Sequence, residues 1–525
     1  MNRRLAFIMI LIIVLVKNSD AMLEVHGVAS GSIYIRADGR VDPQTAPISN
    51  VDNVTYTFAS DVNGSIVVQR SNIVIDGNGF ALEGPGSGTG FYLDSISNVV
   101  IKKTTIRGFD FNGIYFHRTT NNTVCENIIK TNKGHGFALD YSLNNTIVGN
   151  LIAMNNGSGI NLRWSCYNKI SGNNITNNYD SLYFDESHSN TIIGNIIAKS
   201  NHYGIFSYLS SGNTFAGNIV EKGNYGIYLR LSSGTSIAEN RITNSNNDGI
   251  YLFKSFSNTM IRNNISTNID DGIDLSDSSE NKIYRNEISS NNDSGISLST
   301  SSNNIISGNT LLDNDDCFHL YESLNNSIYH NNFIDNTHQL YNYASANIWD
   351  NGVEGNFWSG DSVDLNRDGI GDLPQILDAN NQDNYPLMGI FHSFNTSSGY
   401  YVDVVSSSKI EDFEYFKANN TIKMHVSNIT ASQTFGFCRV CIPMNLMFPP
   451  YTVIIDGGLT EVLHFNETTY VNSTHRWIYF AYEQSTHEVV IIPHYSNYYL
   501  LIIVVTLFIT VTLLTVIVYR RKHTM

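Results

Sequence analysis

The sequence predicts an all-β protein: a right-handed parallel β-helix of about eleven coils of 22–23 residues, then a small β-sandwich and one C-terminal transmembrane helix. Three observations predict the coils. A Gly-Ile dipeptide, an Asn and a Ser each recur in one fixed phase, once per coil. Apolar residues alternate in runs too short for a helix. Only 15% of residues are charged, while Asn, Ser, Gly, Ile and Tyr abound, a composition of strands and turns.

Residues 1–21 read as a secretory signal, with Arg3 and Arg4 ahead of an apolar run from Leu5 to Val16 and small residues at Ser19 and Ala21. Residues 22–97 form an N-terminal cap, and 98–345 carry the repeats. The first row runs through Gly113-Ile114, Gly136-Phe137, Gly159-Ile160, Gly204-Ile205, Gly226-Ile227, Gly249-Ile250, Gly272-Ile273 and Gly295-Ile296. The second is Asn127, Asn150, Asn173, Asn195, Asn218, Asn240, Asn263, Asn286, Asn309 and Asn331; the third runs from Ser142 to Ser345. One coil cannot bury its apolar row alone, whereas stacked coils bury a continuous column. Stacked Asn amides are expected to hydrogen-bond along the axis, and the Gly of each Gly-Ile to supply a turn with positive φ. A leucine-rich repeat is disfavoured, because Ile outnumbers Leu and no half-repeat is helix-prone.

Residues 346–394 close the helix, and 395–495 lose the period. Alternating runs at Thr421–Val426, Tyr451–Ile455 and Glu488–Ile492 predict the sandwich, read as a stalk. Residues 498–519 are long and apolar enough to span a bilayer, and Arg520, Arg521 and Lys522 in the tail 520–525 put that side in the cytoplasm. The expected location is therefore the cell membrane, single-pass, with an extracellular N-terminal part. Sequons at Asn53, Asn63, Asn121, Asn144, Asn156, Asn174, Asn428 and Asn466 agree with export. A net charge of −16 argues against a nucleic-acid partner. Cys438 and Cys441 form C-x-x-C within a strand, where a separation of three points them to opposite faces, so neither a metal nor a redox site is expected there.

These rows resemble the repeats of the NosD-type and CASH (carbohydrate-binding and sugar hydrolase) families, which share the pectin-lyase-like fold. The opening coil Asn72-Ile-Val-Ile-Asp-Gly-Asn-Gly79 and the closing Asn356-Phe-Trp358 and Asp383-Asn-Tyr-Pro386 carry the same resemblance. Gly31–Gly39, Ala46-Pro-Ile48, Gly436–Val440 and Tyr451–Gly457 resemble archaeal cell-surface members with a membrane anchor. The resemblance covers roughly residues 31–390; it implies the fold, and polysaccharide ligands along one face, but no particular chemistry.

Three groups of residues could carry function. Asp364, Asn366, Asp368 and Asp372 place oxygens at positions 1, 3, 5 and 9 of an EF-hand-like loop, with Ile370 offering its carbonyl, so Ca2+ is the expected ion; Gln375 replaces the usual Glu. Hard oxygen ligands argue against copper, and the scattered histidines show no copper site. Tyr183, Phe206, Tyr228 and Tyr251 fall on consecutive coils as an outward aromatic ladder suited to sugar rings. Beside them Asp140, Arg163 and Asp185 are the catalytic candidates, the two carboxylates two coils and so roughly 9–10 Å apart. An acidic patch of Asp270, Asp271, Asp274, Asp277, Asp293, Asp315 and Asp316 reads as a solvated edge or a weak Ca2+ site. The expected function is binding of a surface or environmental polysaccharide. The alternatives are a structural or adhesive envelope protein without activity and a NosD-like accessory to an ABC transporter. An enzyme, if one, would be a polysaccharide lyase or glycoside hydrolase.

Overall fold

The structure is a computed structural model that describes residues 31–360, 363–430, 433–464, 474–483 and 485–494. The signal at 1–21, Asn466, the transmembrane segment at 498–519 and the tail at 520–525 lie outside the described residues. Every regular element among the described residues is a β-strand, and no helix there is long and apolar enough to cross a membrane. The chain forms two compact units, one up to Ser327 together with Asp335–Asn347, the other Ile328–Ile334 with the residues from Ile348 onward.

The first unit is a right-handed parallel β-solenoid of about 13 turns. Each turn supplies one strand to each of three parallel sheets; Leu182–Asp185, Thr191–Ile193 and Ile196–Ala198 make one such turn. The register never slips within the regular coils: Ile205 lies beside Ile227, Ile227 beside Ile250 and Ile250 beside Ile273, all wholly buried. The sequence undercounts the turns because the first ones break the period. Ile33 pairs with Ile66 and Ile66 with Phe91, both wider steps than the regular one that begins between Phe91 and Ile114.

The Asn row forms the expected ladder. Asn173 Oδ1 accepts the backbone N–H of Asn150 (2.9 Å) and its Nδ2 (3.0 Å), while Asn173 Nδ2 donates to the Ile147 carbonyl (2.9 Å) and to Asn195 Oδ1 (3.0 Å). Every polar atom of the buried amide is thereby used, which is what makes a column of buried asparagines tolerable. Two further Asn columns were not read as rows: Asn145, Asn168, Asn190 and Asn213 along one bend, and Asn132, Asn155 and Asn178 along another.

The Gly-Ile glycines correct the expectation placed on them. None of them has a positive φ; instead a Cβ on Gly226 would lie 2.5 Å from the Gly249 carbonyl oxygen and 2.5 Å from Ile242 Cγ2. Glycine is required there for close approach. The left-handed bends fall elsewhere, often on residues with side chains, as at Trp164 (φ 48°), Tyr167 (59°) and Asn177 (55°). Stacking overrides the local cost of about 1 kcal/mol or more that a left-handed residue other than glycine carries.

In the second unit, Asn331 and Asn356 repeat the amide pairing, and Phe357–Trp358 runs parallel to Asn332–Ile334. Two five-stranded antiparallel sheets follow. One contains Tyr401–Ser406, Phe435–Pro443 and His475–Glu483, the other Thr421–Ser427, Tyr451–Ile455 and His487–Pro493. Val404, Val440 and Phe480 from the first share one buried cluster with Met424, Val453 and Ile491 from the second. Cys438 belongs to that cluster, both thiols are free, and burial pushes the Cys438 thiol up to about 11.

Candidate functional site

The site begins with what each glycine does to the chain. Around Gly204 and Gly226 the residue before the glycine and the second residue after it pack against each other within one strand. Tyr203 and Phe206 pack at 4.6 Å between ring centroids, and Tyr225 and Tyr228 at 5.4 Å. Three successive chemistries occupy these rows and the next outward one along the coils.

At the N-terminal end a cleft of about 560 Å³ is lined by Tyr115, His135, Asp140, Arg163, Asp180 and Asp185, among others. Asp140, Arg163 and Asp185 are strand-aligned neighbours in that order. Asp140, 5% exposed, accepts on Oδ2 from Tyr115 OH (2.9 Å) and Arg163 Nη2 (2.7 Å). Arg163 also lies 5.0 Å from the Trp164 ring, yet its buried Nε has no acceptor among protein groups. Burial, then the charge of Glu186, raises the Asp185 pKa. The cleft thus holds one carboxylate fixed in an ion pair and one whose environment favours its proton, two roles an acid–base pair would need. Burial also raises Asp180, against the pull of the Tyr203 N–H and of His202, whose Nδ1 lies 3.3 Å away. His135 Nδ1 accepts the Ser158 N–H at 2.9 Å, which leaves the proton of a neutral ring on Nε2. Trp164 stacks on Tyr141 at 4.8 Å beside this site.

Next along the coils, Tyr183, Phe206, Tyr228 and Tyr251 align strand by strand, their rings 5.1, 5.1 and 4.7 Å apart. Tyr203 and Tyr225 join them from the row before Gly, making six rings in one patch. The rings are tilted against one another, and Phe206 is 6% exposed, so the patch is a packed strip rather than a row of open platforms.

Beyond the rings lies an acidic end. Asp248, Asp270 and Asp271 bring carboxylate oxygens within 4.8 Å of one another. Burial and neighbouring carboxylates push Asp248 up to about 9 and Asp271 to about 7, the latter despite the Ser294 N–H. Asp248 was missed because the sequence around it carries no other acid. Of the other residues in the predicted patch, Asp274 and Asp293 act electrostatically on this group, whereas Asp315 and Asp316 lie against His338.

In the second unit the Asp364 loop closes on its own amides. Asp364 Oδ2 accepts the Gly369 N–H (2.9 Å), Asp368 Oδ1 the Ile370 N–H (2.8 Å) and Asp372 Oδ2 the Leu365 N–H (2.6 Å). Asn366 Oδ1 accepts the Asp368 N–H (3.1 Å), and Gly369 has φ 83°. Arg439 Nη1 donates to the Asp368 carbonyl at 2.8 Å. The turn that an EF-hand-like loop needs is present, with its side-chain oxygens gathered on the turn.

No curated protein matches the chain. Among solved structures it is similar to the Azotobacter vinelandii mannuronan C-5 epimerase AlgE4 A-module, with 14% identity over 54% of this chain and 91% of that one and a TM-score of 0.40. It is also similar to a double mutant of the periplasmic alginate epimerase AlgG (16%, 57% and 80%, TM-score 0.41) and to the Dettilon tailspike protein (14%, 82% and 87%, TM-score 0.32). Likenesses of this size carry no functional argument. The family described as "Periplasmic copper-binding protein (NosD)" matches residues 44–202 and 198–362. Those matches span well over half of the sequence, and the chain belongs to the NosD family.

Proposed function

We propose that this NosD-family solenoid binds an extracellular polysaccharide bearing carboxylate groups, laid along the cleft and the aromatic strip. The observation that supports this most is the Arg163 Nε, a buried donor with no protein acceptor in a cleft that also offers Tyr115 and His135. A buried unpaired N–H costs about 1–3 kcal/mol, which an accepting ligand would recover. The tyrosine strip continues the same face, where sugar rings can stack. In this reading the apolar segment 498–519 holds the protein at the membrane with the solenoid outside, and Ca2+ occupies the Asp364 loop.

The family description names copper. Among the described residues, the one grouping of three or more His, Cys, Asp or Glu with converging ligand atoms is Asp248, Asp270 and Asp271. An all-oxygen set suits hard cations, whereas copper favours imidazole and sulfur. That carboxylate group does not fit copper, and the proposed function involves none.

The test is a glycan array probed with the full chain, with and without Ca2+, followed by a search for shortened or unsaturated products. Binding to uronate-containing glycans that is lost in Arg163→Met and in Tyr228→Ala with Tyr251→Ala is the expected result. Silence on every acidic and neutral glycan would overturn the reading. It would leave the structural or adhesive role, which the mutual packing of the six rings also favours.

A further inference from the structure

We propose that one end of the paired antiparallel sheets in the second unit is a bilayer-docking surface, which seats Phe448 and its aromatic neighbours among lipid headgroups. Such docking presupposes that the apolar segment 498–519 is the membrane anchor, as proposed for this chain, and its occupant is a phospholipid surface.

The strand register defines that end. In one sheet Asn395 lies opposite Tyr401, and Pro443 opposite His475. In the other Phe416 lies opposite Thr421, and Tyr451 opposite Pro493. The loop 444–450 joins the two sheets here, between Phe435–Pro443 and Tyr451–Ile455. The strand His487–Pro493 finishes beside it, and the His494 N–H donates to the Pro450 carbonyl at 2.7 Å. Three residues separate His494 from Tyr498, where the apolar segment begins, a span of about 14 Å at full extension. The headgroup layer on each side of a bilayer is about 5–8 Å deep, so an anchor at 498–519 keeps this end within reach of it.

What this end presents suits such a surface. Phe448 is 70% exposed, yet its loop is pinned. Leu446 and Met447 are buried, and their N–H groups donate to the Pro443 carbonyl at 2.9 and 3.1 Å. Their own carbonyls accept the Tyr415 and Tyr451 hydroxyls at 3.0 and 2.8 Å. The Phe448 ring is thus held out of the core by the structure around it. Tyr400, Tyr401 and Phe416 are exposed at the same end, with Lys417 in the turn after Phe416 and Arg476 one residue into its strand. Aromatic rings accompanied by basic side chains are the composition that settles at a membrane interface.

The opposite end supplies the contrast. It too exposes apolar side chains, Leu459 at 82% and Phe435 at 69%, so exposure alone does not decide between the ends. Its hairpins and strand ends carry Glu411, Asp412, Asp456, Glu483 and Glu488 against Lys409 and Lys423, a net negative charge that phosphate headgroups repel. At the proposed docking end, none of residues 396–401, 416–421, 443–451, 474–476 and 493–494 is Asp or Glu. Charge distribution and the position of the apolar segment are independent features of the chain, and both select the same end.

The test places the full chain in vesicles of phosphatidylcholine and phosphatidylserine with brominated acyl chains, which quench tryptophan only at the bilayer. In Phe448→Trp the fluorescence added to that of the four native tryptophans should lose most of its intensity, whereas in Leu459→Trp it should be retained. Both substitutions fall at exposed positions that do not threaten the fold. Lys417→Gln with Arg476→Gln, introduced into Phe448→Trp, should lower the docked-to-undocked ratio by about fivefold for each charge removed, and should change nothing in vesicles of phosphatidylcholine alone. Unquenched Phe448→Trp in chains that stay with carbonate-washed vesicles would overturn the docking and leave the anchor standing. Chains that wash off the vesicles would overturn both. Equal quenching at positions 448 and 459 would remove the preference for this end and so refute the docking as well.

Discussion

Removing the Arg163 guanidinium separates what the cleft does for the fold from what it does for a ligand. In Arg163→Met the Asp140 carboxylate, 5% exposed, keeps the Tyr115 hydroxyl but loses its charged partner. Breaking a fully buried ion pair costs about 3–5 kcal/mol. The Arg163 side chain is 35% exposed, so water screens part of the interaction and about 2 kcal/mol is the expected loss. Asp140→Asn should cost about 1 kcal/mol, because Tyr115 retains an acceptor. The double variant should cost less than the sum by about 1 kcal/mol or more, since no charge is then stranded. A long solenoid need not unfold in one step, so the suitable measurement is hydrogen exchange at the amides of Phe137–Asp140 and Ile160–Arg163. A coupling below about 0.5 kcal/mol would refute the ion-pair argument. The glycan readout should diverge from the stability readout: the double variant recovers stability without recovering affinity for a carboxylated ligand.

Gly226→Ala should destabilise the solenoid by about 2–3 kcal/mol, as an overpacked core site does, whereas Gly217→Asn, at φ 60° with open space around it, should be nearly neutral; equal effects in denaturant titrations would contradict the close-approach account. Asn218→Ala removes the acceptor of the Asn195 N–H, one of the two acceptors of Asn195 Nδ2 and a donor to the Ile192 carbonyl, so a loss of about 2–3 kcal/mol is expected against less than about 0.5 for exposed Asn174→Ala, read by exchange of the Asn195 amide. Acid should loosen the second unit through Glu354. Burial opposes its charge, but Arg439 (2.8 Å) and His330 (3.0 Å) hold the carboxyl down at about 2. A depressed folded pKa gives stability that is full above the unfolded value near 4.5 and lost as pH falls toward 2, worth about 3 kcal/mol in all. Glu354→Gln should flatten that limb of the pH–stability curve, and an unaltered limb would assign it elsewhere. Chelation of Ca2+ should lower the melting temperature of the wild type by several degrees more than that of Asp364→Asn with Asp368→Asn; equal shifts would remove the ion from the Asp364 loop.

The fold was legible because stacking demands repetition: one inward Ile, one amide and one hydroxyl at the same place in every coil leave rows in the chain. Legibility fails where repetition fails. Ile33 and Ile66 are strand partners across a turn much longer than the regular coil, so no fixed-period scan finds the first turns. The Asn132 and Asn145 columns were overlooked for the opposite reason, since asparagine is so common here that its rows merge into background. On the functional face, Asp140, Arg163 and Asp185 were placed correctly as neighbours because strand alternation orders them. Tyr203, Tyr225 and Asp248 were not, because alternation counted from the Ile says nothing about the residue before the glycine.

That residue is the key to the surface. The same glycine that the interior requires, with Gly249 O and Ile242 Cγ2 too close to admit a Cβ, lies between its predecessor and the second residue after it. Residues one before and two after the glycine meet there, as Tyr203 does Phe206 and Tyr225 does Tyr228. The interior ladders saturate themselves and place no demand on this outward pair, so its chemistry is free to change from coil to coil while the backbone stays constant. Along the axis it passes from His135 and Asp180 in the charged cleft, through the packed rings, to Asp248, Asp271 and Asp274. A helical or sandwich surface would scatter such residues over separate loops. Here one packing constraint aligns them.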